Sequence, residues 1–176
     1  MTFELRKFHK NDIKTLFSWF ASEREVLQWA GAGISWPLDR REFIKLIRSH
    51  RGIESPREIW AVSQRNRMRG HFQLTFNRRL ATVGLGKIAL DPGARQRGLS
   101  GAFMDLILKQ SFSRNWVHRV ELLVFSHNTP AIRAYTKAGF VLEGTRREST
   151  PIDGETWDTH VMGILRKEFD KRTERE

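Results

Sequence analysis

ALDPGARQRGLSGAF, residues 89–103, joins two different patterns. Upstream, LATVGLGKIAL (80–90) reads as a strand; downstream, Ala102, Phe103, Leu106 and Ile107 recur at helical spacing. Between them lie Pro92, Gly93, Gly98, Leu99, Ser100 and Gly101, with Arg95, Gln96 and Arg97 in the middle. A helix opening near Gly98 leaves its first N–H groups unpaired and partly positive. Glycines at 98 and 101 carry no Cβ, so a pyrophosphate can approach those donors, and the arginines add charge at the rim. The turn is read as an anion site. On these residues alone, a glycine-rich turn with exposed arginines is the alternative.

Outward from this stretch the chain alternates in period. Phe3 and Leu5 open a short strand, and Asn11-Asp12 are read as the cap of a helix carrying Ile13, Leu16, Phe17 and Phe20. Gly31-Ala32-Gly33 and Trp36-Pro37 interrupt the pattern, and Asp39 caps a helix with Phe43, Ile44 and Ile47. EIWAVSQ (58–64), GHFQLTF (70–76) and 80–90 form a meander with turns at Arg65-Asn66 and Asn77-Arg78-Arg79. After the helix that ends near Arg114, RVELLVF (119–125) reads as a strand buried on both faces. Asn128 caps a helix stopped by Gly139, and FVLEGTR (140–146) pairs with WDTHVMGIL (157–165) through an Asp153-Gly154 turn. Residues 1–170 are read as one domain and 171–176 as a charged, frayed tail.

The chain has 176 residues, 39% hydrophobic, and no cysteine, which excludes disulfides and thiolate chemistry within it. No apolar run is long enough to span a membrane and no signal-peptide core opens the chain, so the expected location is the cytoplasm. The six histidines show no metal-ligand spacing, so no metal is expected. A net charge of +11 favours anionic partners without naming one.

Leu90-x-Pro92-x-x-Arg95-x-x-Gly98-x-Ser100 resembles the acyl-CoA signature of the GNAT superfamily of N-acyltransferases. Asn128-x-x-Ala131-x-x-x-Tyr135-x-x-x-Gly139-Phe140 resembles its second signature, and Asp153 to Met162 resembles the branch of ribosomal-protein N-terminal and spermidine acetyltransferases. Ser100 departs from the usual Gly or Ala; its hydroxyl can donate to a phosphate. The resemblance implies an α+β (α/β/α) fold: a mixed, mostly antiparallel sheet of about seven strands, helices on both faces, and a splay between the fourth and fifth. It implies acetyl-CoA as co-substrate and a primary amine as acceptor, attacked directly in a ternary complex.

The cofactor residues it implies are Ile88, Ala89, Leu90, Arg95, Gln96, Arg97, Gly98, Leu99, Ser100, Gly101 and Asn128. Pantetheine would pair with the backbone near Ile88 and Leu90, where a strand N–H polarises the thioester carbonyl. Gly84 and Gly86 suit a bulge there, or simple close packing. Tyr135 is the general acid that the resemblance implies, its phenol protonated at neutral pH; by its helix position alone it would be core. The strand 80–90 holds no acid, and Glu121, Glu25 and His71 are the alternatives for a base, none of them chosen. Trp29 and Trp36, in VLQWAGAGISWPL (26–38), are read as the acceptor wall or as loop anchors. A homodimer is compatible with the sequence. A non-catalytic acyl-CoA sensor and a basic nucleic-acid-binding module are the competing functions; the basic clusters fall mostly at turns and no helix has a continuous basic face.

Overall fold

The computed structural model describes residues 3–48, 56–95 and 99–174. Its strands are β1 (Glu4–Lys7), β2 (Arg57–Gln64), β3 (Arg67–Asn77), β4 (Thr82–Leu90), β5 (Arg119–Phe125), β6 (Val141–Ile152) and β7 (Glu155–Leu165). They form one seven-stranded sheet in the order β1-β2-β3-β4-β5-β7-β6. The β1–β2, β2–β3, β5–β7 and β6–β7 ladders are antiparallel, whereas β4 pairs with β5 in parallel. That parallel ladder runs from Thr82↔Arg119 to Leu85↔Leu122, and β4 continues to Leu90. The helices are α1 (Ile13–Phe17), α2 (Glu23–Ala30), α3 (Arg40–Arg48), α4 (Ser100–Ser111), α5 (Thr129–Lys137) and α6 (Arg166–Thr173). The expected mixed, mostly antiparallel α+β sheet is the one observed. No helix among the described residues is long and apolar enough to cross a membrane.

The chain divides into two compact units. The first, Met1–Thr75 with Gly86–Leu99, has a core of aromatic and aliphatic side chains including Phe8, Ile13, Trp29, Phe43, Ile59 and Ala89. Its first helix differs from the sequence reading. A short 3-10 turn, Lys10–Asp12, precedes it, capped at His9, whose ring accepts from the Asn11 N–H while Asp12 accepts from the His9 N–H. Asp12 also holds Arg6 through two bonds of 2.7 Å. Helix α1 stops at Phe17 because Trp19 and Phe20 donate to the carbonyls three residues back, a tightening that ends an α-helix. Helix α2 was not expected, and Glu25, one of the alternatives for a base, lies in its first turn. The Ser22 hydroxyl accepts from the Glu25 N–H (3.3 Å), and the Glu25 carboxylate accepts from the Ala21 N–H (2.6 Å). This S-x-x-E pattern is a capping signature legible in the sequence. Asp39 does cap α3, accepting from the Glu42 N–H at 2.8 Å.

The second unit, Phe76–Leu85 with Ser100–Glu176, contains α4 to α6 and β5 to β7. Strand β5 matches its expected bounds but is not buried on both faces: Leu123 is 55% exposed. Asp153 and Gly154 take left-handed conformations (φ 47° and 79°), as the Asp-Gly turn requires. Strand β6 runs beyond the expected 146 to Ile152, past a register shift between Arg146 and Thr150. Glu148 (φ 49°) is held there by its N–H donating to Asp158 at 2.7 Å. Residues 171–173 are helical rather than frayed. Arg172 of α6 donates to the Ala138 carbonyl and to Asp105, and Arg166 bridges the carbonyls of Phe112, Arg114 and Val117.

Candidate active site

In the first unit, β4 breaks its regular geometry at one residue. Lys87 has φ 47°, a left-handed conformation that a non-glycine residue adopts at a cost of about 1 kcal/mol or more. Gly84 and Gly86 were the expected place for such an irregularity; it lies one residue further on. Two contacts from the end of α2 hold it. The Trp29 indole N–H donates to the Lys87 carbonyl at 2.8 Å, and the Lys87 ammonium donates to the Ala30 carbonyl at 3.2 Å. Trp29 itself is buried and stacked on Phe20 at 4.5 Å, while Trp36 is 39% exposed. Burial pulls the Lys87 ammonium below its ordinary range, helped by the charge of Arg57.

Past Leu90 the turn is tied back to the sheet. Asp91 accepts from the Gly93 N–H (2.9 Å) and the Arg69 guanidinium (2.5 Å), and its own N–H donates to the Arg69 carbonyl at 2.8 Å. Arg95 donates through Nε to the Leu90 carbonyl at 3.1 Å. Ile88 is half-buried and Ala89 belongs to the core. Gln96, Arg97 and Gly98 lie outside the described residues. The anchors Arg69 and Asp91 carried no signal as a pair in the sequence, because one stands on β3 and the other in the turn after β4, 22 residues away.

In the second unit, Ser100 and Gly101 form the first turn of α4, as a phosphate site at a helix N-terminus requires. A Cβ built on Gly101 meets no atom of the described residues within 4 Å. Helix α4 packs beside α5. Asn128 caps α5 by accepting from the Ala131 N–H (3.3 Å), and Gly139 ends it at φ 100°. A side chain there would press the Ile164 methyl at 3.1 Å. Tyr135 is buried on α5, 6.0 Å from the Phe140 ring, and burial raises its phenol above the ordinary range. The phenol therefore stays protonated at neutral pH. Next to the Asn128 cap, His127 stacks on Phe125 and meets Trp157 edge-on at 4.4 Å, a cluster the sequence reading did not single out. No group of three or more potential metal ligands occurs among the described residues.

Residues 2–141 match the Acetyltransferase (GNAT) domain family. The chain belongs to that family. This acetyltransferase is 38% identical over 81 residues to the L-amino acid N-acetyltransferase AaaT of Escherichia coli, covering 45% of this chain and about half (49%) of AaaT. It is 24% identical over 172 residues to the uncharacterized N-acetyltransferase YoaA of Bacillus subtilis, covering 92% of each chain. Among solved structures, the spermidine N-acetyltransferase from Vibrio cholerae in complex with CoA and spermine superposes with a TM-score of 0.81 at 20% identity, over 95% of this acetyltransferase and 97% of that chain. A chimera of Vibrio cholerae SpeG and hSSAT reaches 0.83 at 21% identity, over 98% and 100%. These structural likenesses establish the fold. The family's reaction is acetyl transfer to an amine acceptor.

Proposed function

We propose that the protein transfers the acetyl group of acetyl-CoA to a primary amine on a neutral or anionic small molecule, or on a peptide N-terminus, by direct attack in a ternary complex. Pantetheine pairs with the backbone at Ile88, Ala89 and Leu90, where the left-handed turn at Lys87 takes peptide groups out of regular ladder geometry and supplies an N–H for the thioester carbonyl. The pyrophosphate is held by Arg95, Gln96, Arg97, Gly98, Leu99, Ser100 and Gly101. Asn128 uses its carbonyl oxygen as the helix cap, so its amide NH2 is the half that a cofactor carbonyl meets. Tyr135 donates its phenolic proton to the sulfur as charge develops there. Trp36 lines the acceptor side, and Trp29 holds the left-handed turn at Lys87. The protein works in the cytoplasm.

The observation that carries the choice of acceptor is charge. The chain is +11, and residues 26–38 contain no acidic side chain. A multiply cationic polyamine needs acids to concentrate it. Of Glu23, Glu25 and Asp158, the acids that could gather locally by sequence, Glu25 accepts from the Ala21 N–H and Asp158 from the Glu148 N–H, bonds that fix these carboxylates on their own backbone without neutralising them. Steady-state assays comparing spermidine with a short peptide or a neutral amine, at low and moderate salt, test this. The neutral acceptor is expected to win, by the wider margin at low salt, where repulsion is least screened. Spermidine winning at both salts would overturn it.

The cofactor site has its own test. Because a Cβ at Gly101 meets no atom of the described residues within 4 Å, Gly101→Val is expected to obstruct a ligand more than it disturbs the fold. The variant is expected to keep the wild-type melting temperature without ligand and to lose most of the rise that CoA produces. A full CoA-induced shift in Gly101→Val would remove the pyrophosphate from the start of α4.

A further inference from the structure

At one end of the second unit the turn between β3 and β4 meets the loop between α4 and β5. The turn is built by the Leu80 N–H donating to Asn77 Oδ1 (3.1 Å) and the Ala81 N–H donating to the Arg78 carbonyl (3.3 Å), with Ala81 left-handed at φ 52°. The His118 N–H donates to the Ala81 carbonyl at 3.0 Å, which fastens the turn to the loop. The loop is fixed in its turn by Arg166, whose guanidinium donates to the Arg114 and Val117 carbonyls, each at 2.7 Å. A basic cluster at a single turn says little. Here two fastened segments bring their arginines onto the same aromatic rings.

The Arg114 guanidinium lies 3.8 Å over the Phe76 ring and that of Arg78 lies 5.7 Å over Trp116, while the two rings meet edge-on at 6.1 Å. Arg78 and Arg79 are exposed, Phe76 and Trp116 are half-buried, and Leu80 is 60% exposed. Residues 76–82 and 106–120 contain no acid, and the acids that bracket the second stretch, Asp105 and Glu121, are paired with Arg172 and Arg119. Arginines alone would suit any polyanion. Aromatic and aliphatic surface set among them suits a ligand in which charges alternate with flat apolar faces. We infer that this junction binds a single strand of nucleic acid, with Arg78, Arg79 and Arg114 meeting phosphates and a base stacking on Trp116. In a duplex those base faces are already stacked inside. The surface is also separate from the proposed pyrophosphate site: Ser100 and Gly101 open α4, and the loop leaves the far end of that 12-residue helix, about 18 Å along its axis.

Fluorescence anisotropy over a range of salt tests this, with labelled oligouridylate of about 15 nucleotides, the matching oligothymidylate, a duplex of equal length and polyglutamate. Wild type is expected to bind the single strands most tightly, and the tighter of the two separates RNA from DNA as the source. Arg78→Gln/Arg79→Gln should flatten the slope of log K against log salt by about 1.4, the loss of two phosphate contacts. Trp116→Leu should weaken binding by about fivefold to a hundredfold with the slope unchanged. Arg40→Gln/Arg41→Gln, which removes the same charge from the exposed start of α3, should bind as wild type does. Equal weakening by the two arginine pairs would reduce the binding to the net charge of the chain and overturn the site. Equal affinity for duplex or polyglutamate, or no binding of either single strand at low salt, would overturn it as well. Circular dichroism melting checks the fold of Trp116→Leu; the comparison of the two exposed arginine pairs decides the matter even if that variant unfolds.

Discussion

Tyr135→Phe is expected to lose about a hundredfold in kcat while its KM for acetyl-CoA stays within about threefold. Burial on α5 beside Phe140 raises the Tyr135 phenol above its ordinary value, so the proton is in place at any working pH. A thiol ionises near 8.5 and a free phenol near 10, so complete transfer from tyrosine to a departing thiolate runs uphill. A hydrogen bond that strengthens as charge gathers on sulfur has no such penalty, and it acts in the transition state more than in the ground state. Removing the hydroxyl therefore lowers turnover and spares binding. The phenyl ring fills the same space, so the melting temperature should hold. Unchanged turnover in Tyr135→Phe would mean that the thiolate leaves unaided, and a loss confined to stability would make Tyr135 a core residue.

The second large effect is on stability. His71 is pulled down to about 3 from an ordinary value of 6.5, first by burial and then by the charge of Lys87. The unfolded chain binds a proton at His71 below pH 6.5 that the native state refuses. Stability is thus full above pH 6.5 and falls as the pH drops toward 3, by up to about 1.4 kcal/mol per unit from this residue. Between pH 7 and pH 5 the loss amounts to about 2 kcal/mol. Asp12 acts in a different window. Burial opposes its ionisation, but the hydrogen bond from Arg6 holds it below its ordinary 3.8, so its contribution is lost only at more acid pH. Urea melts at pH 7 and pH 5 should show His71→Leu at least as stable as wild type at pH 7 and clearly more stable at pH 5. An equal pH dependence in the two proteins would contradict a neutral buried imidazole.

Much of this arrangement was legible in the chain because local chemistry and tertiary structure agree there. The change of period across Pro92 gave β4 and α4, the Asn128 cap and Gly139 stop gave α5, and Asp153-Gly154 gave the last hairpin. Helix α2 was missed even though Ser22-x-x-Glu25 announces it, because the glycines at 31 and 33 dominated the reading of the segment. The extension of β6 had no such cue: Arg146, Arg147, Glu148, Ser149 and Thr150 show no apolar alternation, since the strand lies at the edge of the sheet and is exposed nearly throughout. Helix α6 likewise holds few apolar residues; Phe169 stacks on Phe112 at 4.9 Å, and arginine bonds to carbonyls fix the rest. At the site, the residue types of the cofactor turn and of Tyr135 carried the signal. The left-handed Lys87 did not, because a lysine in a strand reads as solvent-facing until Trp29 and the Ala30 carbonyl are found holding it.

The most direct test of the account is release of the CoA thiol from acetyl-CoA with and without an amine, read alongside the mass of the acetylated amine and CoA binding by thermal shift. Acetyl transfer by direct attack predicts thiol release that depends on the amine, one acetylated amine per thiol, and intersecting initial-rate lines when both substrates are varied. CoA binding with a clear thermal shift, but thiol release that no amine accelerates, would contradict it and make the chain a binder of acyl-CoA.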